Sequence, residues 1–471
     1  MKDNFQTSLL YSALKTLDNQ GIKDFDLYLN SPFFNKNKEL IDFWKLLRRK
    51  MAQSSKTQIS KKNLFAALYP VENFKDSKIR LMMSDLYSHF ENYLIHSDSK
   101  LSTQKSNNVV IKYYRENGLE KHFVKKLKSI HRENEKSHIK NEQFFTELSN
   151  LSFQNYLFEY TRKRSSIEAL QDCLKNTDYS LILIKLNQAC TLAAYSAVYK
   201  TEIEIEFLEE VLTFVEKNNL ESIPAIAIYY NCYKLHQEGG EGYFPTYQKL
   251  LKEHIHVLNP EETRDIFLMG INYCIRLINK GNAPMSEPLL KLFEIGLEGD
   301  HLLVNGVLSR YTYRNIVTVG LISKDYEWVE KFIFDYKPKL DLKYRESMFT
   351  LNLAILKYEQ KVYDEVLDLL HQYESKDLLL NLFGKTILLK VYYIQNSHKL
   401  LDSHLDAMEV FIRRKKIIGY HRTNYMNIIK YTRKLIKLNP YDHSAKAKLH
   451  EEVQNAENIA EKKWLLEKLS E

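Results

Sequence analysis

The chain has 471 residues and a formal net charge of +8; 44% of its residues are hydrophobic and 27% are charged. This length can bury a large core and allows two to four domains, and the composition is that of a soluble globular protein. Only 13 glycines and 9 prolines occur, which is too few for the many tight turns of an all-β fold. We therefore expect an all-α protein.

No apolar run approaches the ~18 residues that a membrane span needs, and no apolar stretch follows Met1. We expect neither an export signal nor a membrane segment, and a cytoplasmic location. The chain has four cysteines and no Cys-x-x-Cys pair, which predicts buried free thiols in a reducing compartment rather than a zinc site. The cysteines are Cys173, Cys190, Cys232 and Cys274.

The first 97 residues read as a compact domain of short helices. Ser60 has the position of an N-cap before an apolar helix, and Pro70 stops that helix. The polar segment 98–108 lacks a periodic apolar face and predicts a linker. We expect residues 1–97 to form the N-terminal helical domain.

Residues 109–471 show further helical periodicity, including two helices predicted over 167–175 and 179–199 with a break at residues 176–178. Pro260 follows Asn259 and precedes two glutamates, a pattern typical of the start of a helix. The segment Thr201–Phe207 alternates polar and apolar residues, but an isolated strand would have no partner, so we assign it to a helix, 202–216. The glycines between residues 238 and 242 match no phosphate-binding fingerprint.

Three copies of one pattern lie between Tyr311 and Met408. Each copy has an apolar helix, a short turn and a second helix, and the second helices begin near Tyr326, Tyr363 and His398, thus 37 and 35 residues apart. Apolar residues spaced three, one and three apart share one stripe of a helix. A helix pair cannot bury its stripe alone, so this period predicts stacked helix pairs.

The second copy, with Leu353-Ala354 and then Tyr363-Asp364-Glu365-Val366-Leu367, resembles the tetratricopeptide (TPR) repeat. The resemblance implies a right-handed α-solenoid over residues 109–471, closed by C-terminal capping helices, that binds a peptide or protein on its concave face without chemistry of its own. The bulky Tyr336 and Tyr373 depart from the small residues of the repeat, which indicates a degenerate version. The whole chain, including Ser31-Pro32-Phe33-Phe34-Asn35 and the helical segment Leu81-Met82-Met83-Ser84-Asp85-Leu86, also looks like a family of bacterial helical-repeat proteins, a resemblance that implies the architecture and no activity. His404 replaces an apolar group in the third copy, and we expect it to be half-buried with a local hydrogen bond.

A basic segment follows the repeats. Residues 409–437 hold nine lysines and arginines and a single glutamate, whereas residues 151–408 are net acidic. Such a ridge suits phosphates or an acidic protein, but it is also compatible with a solvated face or with pairing to the acidic repeats. The candidate anionic-partner patch consists of Arg413, Arg414, Lys415, Lys416, Arg422, Lys430, Arg433, Lys434 and Lys437.

No motif for hydrolysis, phosphoryl transfer or metal binding occurs in the chain. His131 and His138 share a helical face with two glutamates, but the many lysines around them oppose a cation. We expect no enzymatic activity, no cofactor and no metal. The leading hypothesis is a scaffold or adaptor that binds a protein partner through its repeat surface. The alternative is a regulatory factor associated with nucleic acid or ribonucleoprotein through basic N-terminal and C-terminal patches, since residues 1–150 are also net basic.

Overall fold

The computed structural model describes residues 4–53, 59–101, 103–162, 167–199, 201, 203–371, 373–375, 377–414, 420–439 and 441–471. In these ranges it contains 23 α-helices and one two-stranded hairpin, which confirms the all-α class. Backbone contacts divide the chain into two compact units. Unit 1 comprises Met1–Ser137 and Gln143–Asp178, and unit 2 comprises His138–Glu142 and Tyr179–Glu471.

Helices α1 to α8 are Leu9–Leu14, Asn19–Asn30, Lys38–Gln53, Lys61–Leu68, Asp76–Leu101, Thr103–Glu116, Glu120–Lys136 and Glu142–Tyr160. Helix α9 is Glu168–Tyr199, and the boundary between the units falls within it. Helices α10 to α23 are Leu208–Lys217, Pro224–Leu235, Phe244–His254, Pro260–Asn279, Ser286–Glu298, Arg310–Ile322, Tyr326–Tyr336, Arg345–Glu359, Tyr363–His371, Leu378–Ile394, His398–Arg414, Tyr420–Ile436, His443–Asn455 and Lys462–Ser470. Single 3-10 turns occupy Phe5–Thr7, Leu220–Ser222, Gly240–Tyr243, Ile255–Val257, Ala283–Met285 and Lys337–Lys339.

Unit 1 holds two hydrophobic clusters. In the first, the ring of Phe25 lies edge-on to Trp44 at 4.9 Å and to Phe90 at 5.7 Å. In the second, Phe123 and Phe158 stack at 4.1 Å. Ser60 caps α4 as predicted, because its hydroxyl accepts a hydrogen bond from the amide of Asn63.

The predicted linker at residues 98–108 is helical where the structure describes it, since α5 reaches Leu101 and α6 begins at Thr103. Polar composition alone does not prevent helix formation when each end continues a helix with an apolar face. The two compact units meet along the sequence in the range 137–179, and the predicted domain bounds stay a prediction.

Unit 2 is built from helix pairs. The second helices of three successive pairs begin at Tyr326, Tyr363 and His398, at the spacings of 37 and 35 residues that the sequence predicts. The same turn joins each pair: Lys324, Lys361 and Asn396, each two residues before the second helix, have φ values of 58°, 64° and 54°. In each turn, the amide of the next residue donates to a carbonyl five positions earlier, which is the Schellman ending of a helix.

Each helix of these pairs contacts the helix that follows it, and the first helices also contact one another, α15 with α17 and α17 with α19. This pattern is typical of helix pairs that lie side by side. The stripe residues Val329, Ile333 and Val366 are fully buried, as predicted. The assignment to the TPR type and the right-handed solenoid stay predictions.

Three details differ from the predicted elements. Helix α9 is continuous through residues 176–178, where the sequence suggests a break. Helix α10 begins only at Leu208, and the described residues of the segment 201–207 form neither helix nor strand, so their assignment to a helix is wrong. The third is the hairpin of Leu303–Val304 with Val307–Leu308 (β1 and β2), which turns through Asn305 and Gly306.

Candidate functional site

The structure places the predicted anionic-partner patch on α20 and α21. Of its nine members, Lys415 and Lys416 lie outside the described residues. Three others form ion pairs. Arg413 pairs with Glu409 at 2.6 Å, Arg433 bridges Glu409 at 2.8 Å and Asp406 at 2.5 Å, and Lys434 pairs with Glu452.

The remaining four, Arg414, Arg422, Lys430 and Lys437, are exposed and form no ion pair with a described residue. The partners of the three paired cations lie on α20 itself and on α22, one before and one after the basic helix α21. These contacts hold the pKa of Glu409 and of Glu452 below their usual range, because a cation beside each carboxylate stabilises its charged form. The patch is therefore partly neutralised within unit 2.

A second cationic group, which the sequence does not single out, lies among the first helices of the pairs. Arg314 of α15 is half-buried, and its guanidinium lies over the ring of Phe383 of α19, with 4.2 Å from Cζ to the ring centroid. Tyr373 and Tyr425 lie within electrostatic range of this guanidinium. We call the set Arg314, Tyr373, Phe383 and Tyr425 the arginine site.

Arg314 forms no hydrogen bond or ion pair with a carboxylate among the described residues. Burial lowers the pKa of its guanidinium, and electrostatic interactions with Tyr425, Tyr373, Glu461 and Asp377 only partly oppose this. A charged group that is partly removed from water and lacks a direct counter-ion is costly to keep. Such a group is therefore a candidate for binding an external anion.

Two neighbouring cations, by contrast, are satisfied. Arg310 pairs with Asp377 at 3.4 Å, and Lys390 pairs with Glu461 at 2.6 Å. Each of these carboxylates already has a partner, so neither is a direct counter-ion of Arg314.

Local packing explains how the arginine site is held. Gly384 of α19 lets the ring of Tyr373 approach closely: a Cβ at that position would lie 3.0 Å from Cδ1 of Tyr373. The hydroxyl of Tyr373 is buried without a hydrogen-bond partner, and burial raises its pKa to about 12. The neutral phenol therefore keeps an O–H donor within electrostatic range of the guanidinium.

His404, the one polar group in the repeat stripe, has the predicted local role. It is half-buried, and its Nε2 lies 2.7 Å from the carbonyl oxygen of Lys385. Burial lowers its pKa, so the neutral ring donates this hydrogen bond.

The four cysteines are free; Cys190, Cys232 and Cys274 are buried and Cys173 is half-buried. Among the described residues, no group of three or more His, Cys, Asp or Glu side chains has the geometry to hold a metal ion. Within the same residues, the search for a helix long and apolar enough to cross a bilayer finds no candidate.

Comparison with known proteins finds no matching family model and no significant match to a curated protein or to a solved structure.

Proposed function

We propose that the protein is a non-enzymatic scaffold that binds a protein partner through the helical-repeat surface of unit 2. In this proposal an acidic group of the partner, a side-chain or C-terminal carboxylate, contacts the arginine site. The observation that carries it is the guanidinium of Arg314, which is half-buried, stacked on Phe383 and unpaired with any described carboxylate. A planar guanidinium beside aromatic rings binds a carboxylate with two parallel hydrogen bonds.

The stability of a variant separates this role from a structural one. Arg314→Met keeps a long side chain against Phe383 but removes the charge. If Arg314 serves only binding, the variant should be at least as stable as the native chain, because an unmatched buried charge is lost. A residue that costs stability and supports binding is expected at a functional site.

The experiment is affinity capture from an extract of the source cells, with and without nuclease, using the full chain and two variants. The Arg314→Met variant should no longer capture the partner protein. Nuclease treatment of the extract should leave capture by the native chain unchanged. The matched control is Arg264→Gln. Arg264 lies on α13, 3.5 Å from Asp265, and this variant should capture the partner protein as the native chain does. Equal capture by Arg314→Met would refute the proposed role of this surface.

The alternative function, a regulatory factor associated with nucleic acid or ribonucleoprotein, is favoured by Arg414, Arg422, Lys430 and Lys437, which are exposed and unpaired with described residues. Nuclease treatment would then release the captured material, and binding would weaken steeply with salt. The ion pairs of Arg413, Arg433 and Lys434 make the protein-binding function the better supported one.

A further inference from the structure

A cleft of about 340 Å³ lies between α16 and α14, the second helix of the preceding α13–α14 pair. Three residues of α14 and five of α16 line it, and in each helix the lining residues recur at alternating spacings of three and one, thus on one face. The lining consists of Glu294, Leu297, Glu298, Trp328, Lys331, Phe332, Asp335 and Tyr336. We call it the aromatic–acidic cleft.

Three aromatic side chains form a ladder along this cleft. Trp328 and Phe332 are nearly parallel, with ring centroids 5.7 Å apart and planes inclined by 7°. Phe332 and Tyr336 follow at 4.9 Å and 25°. Phe332 is buried and anchors the ladder, whereas Trp328 and Tyr336 are half-buried and keep part of their surface open. The ladder therefore offers ring surface to a ligand.

The carboxylates of the cleft lack cation partners. No ion pair joins Glu294, Glu298 or Asp335 to a described residue, although Lys331 lies in the same lining. Lys291, the cation nearest to Glu294 on α14, is already paired with Glu287 at 2.8 Å. Negative charge thus exceeds positive charge around the rings.

The excess of negative charge also affects the pKa of two residues that line the cleft. Burial, followed by the charges of Glu298 and Asp325, raises the pKa of Glu294. Burial and the charges of Asp300, Asp335 and Glu298 raise the pKa of Tyr336. A cation placed among these groups would be attracted by several carboxylates and by the faces of the rings.

We propose that the aromatic–acidic cleft binds the arginine side chain of a basic segment of a partner protein. A guanidinium is planar, so it can stack on Trp328 and donate to Glu294 and Glu298 at the same time; an ammonium cannot do both with comparable geometry. The volume also suits such a ligand, since binding clefts for small groups begin at roughly 300 Å³.

This second site extends the proposed protein-binding function, but it is distinct from the arginine site, because it selects the opposite charge and uses the second helices instead of the first. The two proposals can therefore fail separately. Loss of capture by Arg314→Met reports on the arginine site, whereas the titration described next uses the aromatic–acidic cleft alone.

The experiment is calorimetric titration of the full chain with a short acetylated and amidated peptide of alternating glycine and arginine. The ligand control is the same peptide with citrulline, which keeps the shape of arginine but has no charge. The arginine peptide should bind, and the citrulline peptide should bind at least tenfold more weakly. Equal binding of the two peptides would overturn the proposal.

The matched protein variants are Glu294→Gln with Glu298→Gln, and the control Glu327→Gln. Removing two like charges from one cleft relieves repulsion, so the double variant should remain folded, as circular dichroism can verify. It should lose at least tenfold in affinity for the arginine peptide. Glu327 is exposed on α16 outside the lining, and its replacement should leave the affinity unchanged.

Trp328→Leu tests the contribution of the ring face and should weaken binding several-fold. Choline and a lysine peptide serve as competitors. If choline displaces the arginine peptide and binds more tightly, the cleft selects quaternary ammonium groups and the arginine proposal is wrong. Unchanged binding in the Glu294→Gln, Glu298→Gln variant would likewise place the peptide elsewhere.

Discussion

Gly320 of α15 lies where the two helices of one pair approach each other closely. A Cβ built on Gly320 would lie 2.4 Å from Cγ2 of Val329 on α16, and Val329 is fully buried. We predict that Gly320→Ala destabilises the protein, although alanine favours a helix by about 0.5–1 kcal/mol over glycine. Overpacking in a core costs about 1–3 kcal/mol, so the net loss in the free energy of unfolding should be about 1–2 kcal/mol.

The assay is urea unfolding followed by far-UV circular dichroism, with two comparisons. Gly242→Ala is the control, because a Cβ at Gly242 meets no atom within 4 Å; it should be neutral or stabilising by about 0.4–1 kcal/mol. In Gly320→Ala with Val329→Ala, the clashing methyl is removed, so the double variant should be about 1 kcal/mol more stable than the sum of the single effects. If Gly320→Ala matches Gly242→Ala, the close approach of α15 and α16 is wrong.

Three further predictions concern a helix cap, a buried histidine and the basic patch. Asn259→Ala removes a capping box in which Asn259 and Glu262 satisfy each other's backbone amides, and it should lower the free energy of unfolding by about 1 kcal/mol in the same urea assay. Burial holds the pKa of His404 below its ordinary value, so the unfolded chain binds this proton at a higher pH than the folded chain does. The contribution of the neutral, buried His404 to the free energy of unfolding is therefore complete above the unfolded pKa of about 6.5 and is lost as the pH falls through it. The stability of His404→Gln should consequently vary less with pH than that of the native chain, and a parallel profile would contradict this. Replacing Arg414, Arg422 and Lys437 together by Gln should leave the Arg314-dependent capture unchanged, and a loss of capture would move the binding surface to α21.

The positions of the repeat helices could be predicted because they depend on local patterns. The starts at Tyr326, Tyr363 and His398 follow from apolar spacing, and the start at Pro260 follows from the cap at Asn259. The hairpin was missed although it has a sequence signal: Asn305 and Gly306 supply the two positive φ values, 50° and 75°, of a tight turn between apolar residues. The break expected near residues 176–178 was wrong because polar residues on an exposed helical face do not end a helix.

The arginine site could not be predicted, because no pattern in one segment contains it. Arg314 meets Phe383 across 69 residues of sequence, and the distance depends on how α15 and α19 lie about α17. The rings of the aromatic–acidic cleft do have a visible spacing of four, since Trp328, Phe332 and Tyr336 share one helical face. That spacing, however, is equally typical of a buried stripe, and nothing in the α16 segment shows that Glu294 and Glu298 of α14 line the same cleft.

The basic patch shows why counting charges overstates a candidate anion site. Nine cations against a single glutamate predict a strong ridge, but Asp406 and Glu452 lie outside the counted segment and reach it from α20 and α22. Four described cations remain without an ion pair, and each phosphate neutralised changes the logarithmic salt slope by about 0.9. The described part of the patch therefore supports a slope of about 4 at most for double-stranded DNA. A steeper measured slope would require phosphate contacts from Lys415, Lys416 or the N-terminal cations. Such a result would favour the nucleic-acid function.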